Sequence, residues 1–337
     1  MKRSVFYVLI LGMIFGGANT VSAQHEHPQH NHHGMAHQTA AGVKLEVKDD
    51  AAQEMTLRLG PVDLPAHTDH MATAQPPDLF WAVPIDGWLV GYHPRLVDVA
   101  GNPEPGRLLH HVAFWNTSRS DFLCPNKEEH LFGAGGEMND WPAVPGYGYR
   151  VRQGERIRIE TMFHNPTDTS HPQTYLEIRI EYRAGSAAAG QMTEPIKSVY
   201  PTWFDVMQCG HSGYDLKAGK NVTTGEITVK YAGTLLGVGG HLHDYGRRLV
   251  LENLTRNEEV AALDAKLDAA GRIVAMPVQT FLDRGGYRLN RGERLRVTAT
   301  YDNPEGKPLP GGAMGIVVGY FVPDNDTQMA ALQRKSK

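Results

Sequence analysis

The chain has 337 residues, 41% of them hydrophobic and 21% charged, with 33 Lys and Arg against 37 Asp and Glu. That balance describes a globular protein with room for one large or two ordinary domains, and the mild acidity without a basic cluster argues against nucleic acid as a partner. Gly (36) and Pro (21) make the chain turn-rich, favouring short strands over long helices, and 17 His is an outlying count.

In chain order, Lys2 and Arg3 precede an apolar run from Val5 to Phe15, then Gly16, Gly17 and the small-residue triplet Val21-Ser22-Ala23. This reads as a secretory signal over residues 1–23, cut before Gln24. At about 1.5 Å per residue the apolar run is too short to anchor the chain in a bilayer, so a secreted or periplasmic protein with no stable membrane span is expected. Residues 24–44 then form a flexible tail carrying His25, His27, His30, His32, His33 and His37, without apolar periodicity. Such a tail binds Cu or Zn ions weakly; it either gathers metal for the domain behind it or is solvated chain without a role. Two cysteines, Cys124 and Cys209, leave three readings open: one disulfide, two free thiols, or a metal ligand pair in Cys209-x-His211.

Residues 154–166 read GERIRIETMFHNP and residues 292–304 read GERLRVTATYDNP, an offset of 138 from Gly154 to Gly292. The same register pairs Gly148-Tyr149-Arg150 with Gly286-Tyr287-Arg288, and Ile178, Ile180 and Tyr182 with Ile316, Val318 and Tyr320. The expectation is two similar domains, 45–186 and 187–327, followed by a tail over 328–337. Within each copy the residues alternate with period two. Ile157, Ile159, Thr161 and Phe163 share one face, as do Leu295, Val297, Ala299 and Tyr301. Similar runs recur at 108–115, 174–182, 224–231, 247–252 and 314–322, which predicts an all-β chain of two antiparallel sandwiches. Residues 258–270 have local helix propensity, and the sheet context is expected to override it.

His241-Leu242-His243 places two imidazoles on one side of a strand, close enough to converge on one ion. Met314 opens the strand beside 294–302, and a thioether joined to two imidazoles favours copper, Cu(I) above all, over zinc. Core filling is the competing reading for Met314. His110 and His111 are neighbours, and both reach one ion only at a bulge or strand end. Met162 and His164 share a strand face, and either would complete a site with that pair. His67, Asp69, His70 and Met71 make a short ligand-like loop. Together with the isolated His93, His130, His171 and His211, that loop is left outside the expected sites.

This order of motifs, a His-His pair, His-Asn-Pro, His-x-His and then Met, resembles the copper type II, ascorbate-dependent monooxygenases, the group of the peptidylglycine and dopamine β-monooxygenases. The resemblance spans about residues 75–325. It implies tandem jelly-roll domains offering ligands for up to two copper ions across a water-filled cleft. It also implies O2 and an unidentified small molecule as substrates, and ascorbate or another reductant. His110 and His111 match ligands of the electron-transfer copper; His241, His243 and Met314 match those of the oxygen-activating copper. Three departures stand out. Met162 replaces the first site's third His. Gly239 stands where the peptidylglycine enzyme has a carboxylate-binding Arg, and Val318 stands where it has a Tyr. The last two point away from peptide amidation. A copper monooxygenase and a non-catalytic protein that buffers or delivers copper are the two functions expected. The oligomeric state is not legible.

Overall fold

Period-two alternation becomes strand almost everywhere it was expected. The computed structural model describes residues 38–50, 53–138, 140–185 and 195–332. The signal segment, the histidines at His25, His27, His30, His32, His33 and His37, and residues 333–337 lie outside the described residues.

The first half contains β1 (Lys44–Asp50), β2 (Glu54–Leu64), β3 (Leu79–Ala82), β4 (Gly87–Val97), β5 (Leu109–Ser120), β6 (Glu128–Gly135), β7 (Tyr147–Val151), β8 (Arg156–Phe163) and β9 (His171–Ala184). Next in the chain come β10 (Lys197–Ser198), β11 (Tyr200–Asp205), β12 (Tyr214–Leu216), β13 (Gly219–Thr228), β14 (Gly233–Leu242), β15 (Gly246–Asn253) and β16 (Glu258–Asp264). The last are β17 (Lys266–Leu267), β18 (Ile273–Ala275), β19 (Gln279–Thr280), β20 (Tyr287–Leu289), β21 (Arg294–Asn303), β22 (Leu309–Ala313) and β23 (Gly315–Pro323), before a short helix α1 (Asp326–Leu332). The fold is all-β, and apart from the short parallel pair of β7 with β10 the strand pairs among the described residues are antiparallel.

The pairing order repeats along the chain. One sheet runs β1-β2-β9-β4-β7-β10 and faces a second, β3-β8-β5-β6. Later, β23 and β20 flank β14 as β9 and β7 flank β4, and the sheet β13-β21-β15-β16 answers β3-β8-β5-β6. Leu57, Leu89 and Ile178 from one sheet bury against Val112, Phe114 and Ile159 from the other in one hydrophobic cluster. A second cluster gathers Leu249, Leu295, Val297, Val317 and Phe321. Each such side chain taken from water contributes about 1.5–3 kcal/mol, which fixes strand register because a one-residue slip would expose the whole face.

Both copies of the repeated motif are strands, β8 and β21, with Ile157, Ile159, Leu295, Val297 and Ala299 buried as alternation requires. Segment 258–270 is β16 and β17, its local helix propensity overridden by pairing with β15 and β18. Two boundaries differ from expectation. Residues 38–40 pair with Gln75 instead of continuing a free tail, with Ala40 N–H donating to Gln75 O at 2.8 Å. The C-terminal boundary at 328 cuts α1, whose Met329 is fully buried in the second cluster and whose Asp326 accepts from Tyr200 Oη at 2.5 Å. No helix among the described residues is long and apolar enough to cross a membrane.

Candidate metal centre

His110 and His111 would face opposite ways on a regular strand. Pairing of β5 with β8 steps from Leu109 opposite Phe163 to His111 opposite Met162, two residues against one, so His110 is the extra residue of a bulge. Both imidazoles consequently turn the same way, with their Nδ1 atoms 3.1 Å apart. Met162, directly opposite His111 and buried, lies on the same side of the sheet.

The other pair comes from the end of β14. His241 and His243, two residues apart, bring their rings to 5.3 Å between centroids at 80°. Past His243 the chain closes a tight turn, Gly246 N–H donating to His243 O at 3.1 Å. Strand pairing sets Leu242 opposite Gly315, so Met314 enters β23 beside His243. The buried hydroxyl of Tyr301 ties the two together, accepting from His243 N–H at 3.0 Å and Met314 N–H at 3.1 Å and donating to Met314 O. The Met314 Cε atom packs with the His211 ring against Gly213.

The two sets meet. Ligand nitrogens of His110, His111 and His243 all lie within 4.8 Å of one another. The His110 ring stands 4.3 Å from that of His243, 4.5 Å from His70 and 5.2 Å from His164. Where the resemblance implies ligand sets facing across a water-filled cleft, the bulge on β5 carries His110 onto the end of β14, so the imidazoles of both halves are contiguous.

Three observations test whether these residues suit a metal. Nε2 of His241 and both ring nitrogens of His243 are buried without a hydrogen-bond partner, a costly arrangement for groups with nothing to bind. Burial first, and then the neighbouring imidazoles, hold His110 and His243 well below the usual histidine pKa; burial lowers His164 as well. In these three the shift favours the neutral imidazole, the form that ligates. The spacing agrees. With a metal–nitrogen bond of about 2.0 Å and about 1.2 Å from nitrogen to ring centre, two imidazoles at the tetrahedral angle have centroids about 5.2 Å apart. The His110–His111 separation is 5.2 Å and that of His241–His243 is 5.3 Å.

The remaining candidates divide between the cluster and structural roles. His164 joins the cluster, its backbone N–H held by Leu108 O at 3.1 Å. Cys124 and Cys209 form a disulfide, so Cys209-x-His211 is not a ligand pair. In the loop 67–71, His67 faces the exposed Asp168, and the Asp69 carboxylate accepts from Met71 and Ala72 N–H; only His70 turns to the cluster. His130 is stacked between Trp115 and Trp203, and His93 lies between Asp140 and Glu181.

Sequence reasoning missed three contributors: His70, Tyr301 and Glu137. The Glu137 carboxylate reaches His241 Nδ1 at 3.0 Å and leaves Nε2 for a metal. The ligand-like loop His67, Asp69, His70 and Met71 and the Phe163/Tyr301 exchange between the repeats carried a signal; Glu137 had none.

Trp141, Trp203, Phe132, Tyr320 and His130 line a small cleft of about 20 Å3 between β6, β11 and β23. Gly239 and Val318 face each other across β14 and β23 at its edge. Trp141 Cζ2 stands 2.9 Å from where a Cβ on Gly239 would lie, so the indole fills the space a larger residue would need.

No family model matches the chain. It is 24% identical over 246 residues to "Probable copper-dependent oxygenase clz3" of Cochliobolus lunatus, covering 65% of this chain and 73% of that protein. It is equally similar, 24% over 246 residues, to "Probable copper-dependent oxygenase M1" of a Phoma species, covering 65% of this chain and 58% of that longer relative. Among solved structures, "Crystal Structure of the STIV MCP" aligns with a TM-score of 0.38 and 12% identity over 86% of this chain and 99% of that one, a likeness too low to bear on function. The chain is thus similar, at low identity, to two fungal proteins named as probable copper-dependent oxygenases.

Proposed function

We propose that this chain is an exported copper protein that hydroxylates an unidentified small organic molecule with O2, using ascorbate or another small reductant. The observation that carries the reading is the convergence of the half-buried His110 and His111 with the buried His243, their ligand nitrogens within 4.8 Å of one another. Descent shared with proteins named copper-dependent oxygenases supports it. In this reading His241, His243 and Met314 hold the ion where O2 is used, and His110 and His111, with Met162 or His164, hold a second. Copper bound there would supply the one-electron chemistry needed to hydroxylate a C–H bond. The chain's own contribution is to orient the His241 ring through Glu137, to hold the His243 and Met314 backbone through Tyr301, and to favour the neutral form of His110, His164 and His243 by burial. The disulfide is consistent with an oxidising compartment. The repeated strand order supports reading residues 45–186 and 187–327 as two jelly-roll domains.

Oxygen uptake by the copper-loaded protein with ascorbate tests the proposal. Uptake above that of free copper, lost in His243→Ala and Met314→Ala, is the expected result. Equal uptake in wild type and Met314→Ala supports the second reading, a protein that buffers or delivers copper. The filled space above Gly239 favours that reading, because it leaves no room for the carboxylate-binding Arg of the peptidylglycine enzyme whose motif order the chain resembles.

A further inference from the structure

His70 lies in a loop that sequence periodicity does not mark as part of any site, yet the fold fixes it in place with care. Thr68 and Asn165 form an antiparallel bridge, Thr68 N–H donating at 2.9 Å and Asn165 N–H returning at 2.7 Å. This lays the loop on the His164-Asn165-Pro166 turn. Asp69 caps the next turn, its carboxylate accepting from Met71 N–H at 2.9 Å and Ala72 N–H at 2.8 Å. The buried Gln75 amide completes the clamp. Its Nε2 donates to His70 O and to Phe163 O, both at 2.8 Å, and its Oε1 accepts from Phe163 N–H at 2.7 Å. One side chain thereby ties the His70 backbone to the end of β8, next to Met162. The result is a ring-centroid separation of 4.5 Å between His70 and His110, closer than the 5.2 Å of His164. Sharing one ion would widen that separation to about 5.2 Å, an opening of less than about 1 Å that side-chain rotation supplies.

We propose that His70 is a copper ligand, joining His110 and His111 as the third imidazole at the place where β8 presents Met162. The proposal rests on the reading that the His110–His111 pair holds copper. A thioether at 162 and an imidazole from the loop give the ion a mixed soft and borderline donor set suited to Cu(I). The His70 carbonyl, the Asp69 carboxylate and the Thr68 bridge anchor the loop through groups that a substitution of the His70 side chain leaves in place.

The test is Cu(I) titration of the full-length protein against bicinchoninate, a chelator that strips weak sites, with the imidazole count per tight copper read by X-ray absorption. The variants are His70→Ala, His70→Gln, His110→Ala and, as a loop control, His67→Ala. Both His70 variants are expected to lose tight Cu(I) affinity at least tenfold and to lower the imidazole count, with His67→Ala at wild-type values. Wild-type affinity and imidazole count in both His70 variants, while His110→Ala loses the ion, would overturn the role of His70 and leave the pair's copper site standing. Retention of all tight copper by His110→Ala would overturn both.

Discussion

Glu137 and His241, 104 residues apart, meet at 3.0 Å between Oε1 and Nδ1, joining the turn after β6 to the end of β14. The carboxylate also accepts Gly135 N–H at 2.9 Å, and the approach needs glycine at 135, where a Cβ would come within 2.5 Å of the His241 ring. A carboxylate on one ring nitrogen fixes the tautomer and strengthens the other nitrogen as a donor. Glu137→Leu is therefore expected to weaken copper binding by about 10–100-fold, while Glu137→Gln, which still accepts the bond, keeps most of the affinity. Chelator competition on the two variants decides it; equal affinity in Glu137→Leu and wild type would reduce the contact to packing.

Tyr301 makes a second structural requirement explicit. Its hydroxyl is the partner of two buried backbone N–H groups, those of His243 and Met314. Tyr301→Phe removes one oxygen and orphans both donors, a loss of about 2–6 kcal/mol at about 1–3 kcal/mol for each unmet group. Denaturant unfolding of the metal-free protein measures that loss. Since the same bonds align the ligand-bearing backbone, the copper of this site should also dissociate faster in the variant. Unchanged unfolding would mean that water or a shifted backbone meets the two donors.

These contacts separate what was legible from what was not. Alternation over 156–163 and 294–303 was readable because each strand buries one face, and burial writes a period of two into the residues. The His241-x-His243 pair was readable for the same reason. The register of β5 against β8 was not, since one extra residue leaves no mark in a single strand; the sequence could state only that His110 and His111 needed a bulge to act together. Phe163 and Tyr301 occupy the same place in the repeat and look interchangeable there. Only the tertiary fold shows that the added hydroxyl serves His243 and Met314. Glu137 and His70 reach the cluster through turns, where no period exists to be read.

The disulfide offers a test of how the halves are held. Cys124 lies after β5 and Cys209 after β11, a separation of 85 residues, and Lys127 Nζ donates to Gly210 O on the same loop. Closing a loop of that length restricts the unfolded chain enough to stabilise the fold by about 2–5 kcal/mol. The double variant Cys124→Ser, Cys209→Ser should lose that amount by chemical denaturation. It should also expose the 207–213 loop to proteolysis before the rest of the chain. Cleavage elsewhere first would show that the loop is held by packing instead.

Glu129 gives the pH dependence its clearest sign. The carboxyl is fully buried, with Tyr149 Oη donating to Oε2 at 2.5 Å, while Arg119 is engaged mainly by Glu155. Burial, the largest influence, outweighs the nearby Arg119 charge and pushes the Glu129 pKa up to about 8. Between the ordinary value of 4.5 and about 8 the folded state keeps a proton that the unfolded chain has released. The contribution to stability is thus complete below about pH 4.5 and is lost as pH rises through about 8, at no more than about 1.4 kcal/mol per unit. Glu129→Gln, which mimics the protonated form, removes this slope. Unfolding free energies measured from pH 5 to 9 should show wild type declining relative to the variant across that window and running parallel above it. A constant difference would mean that Glu129 is ionised in the fold, with Arg119 as its counter-charge.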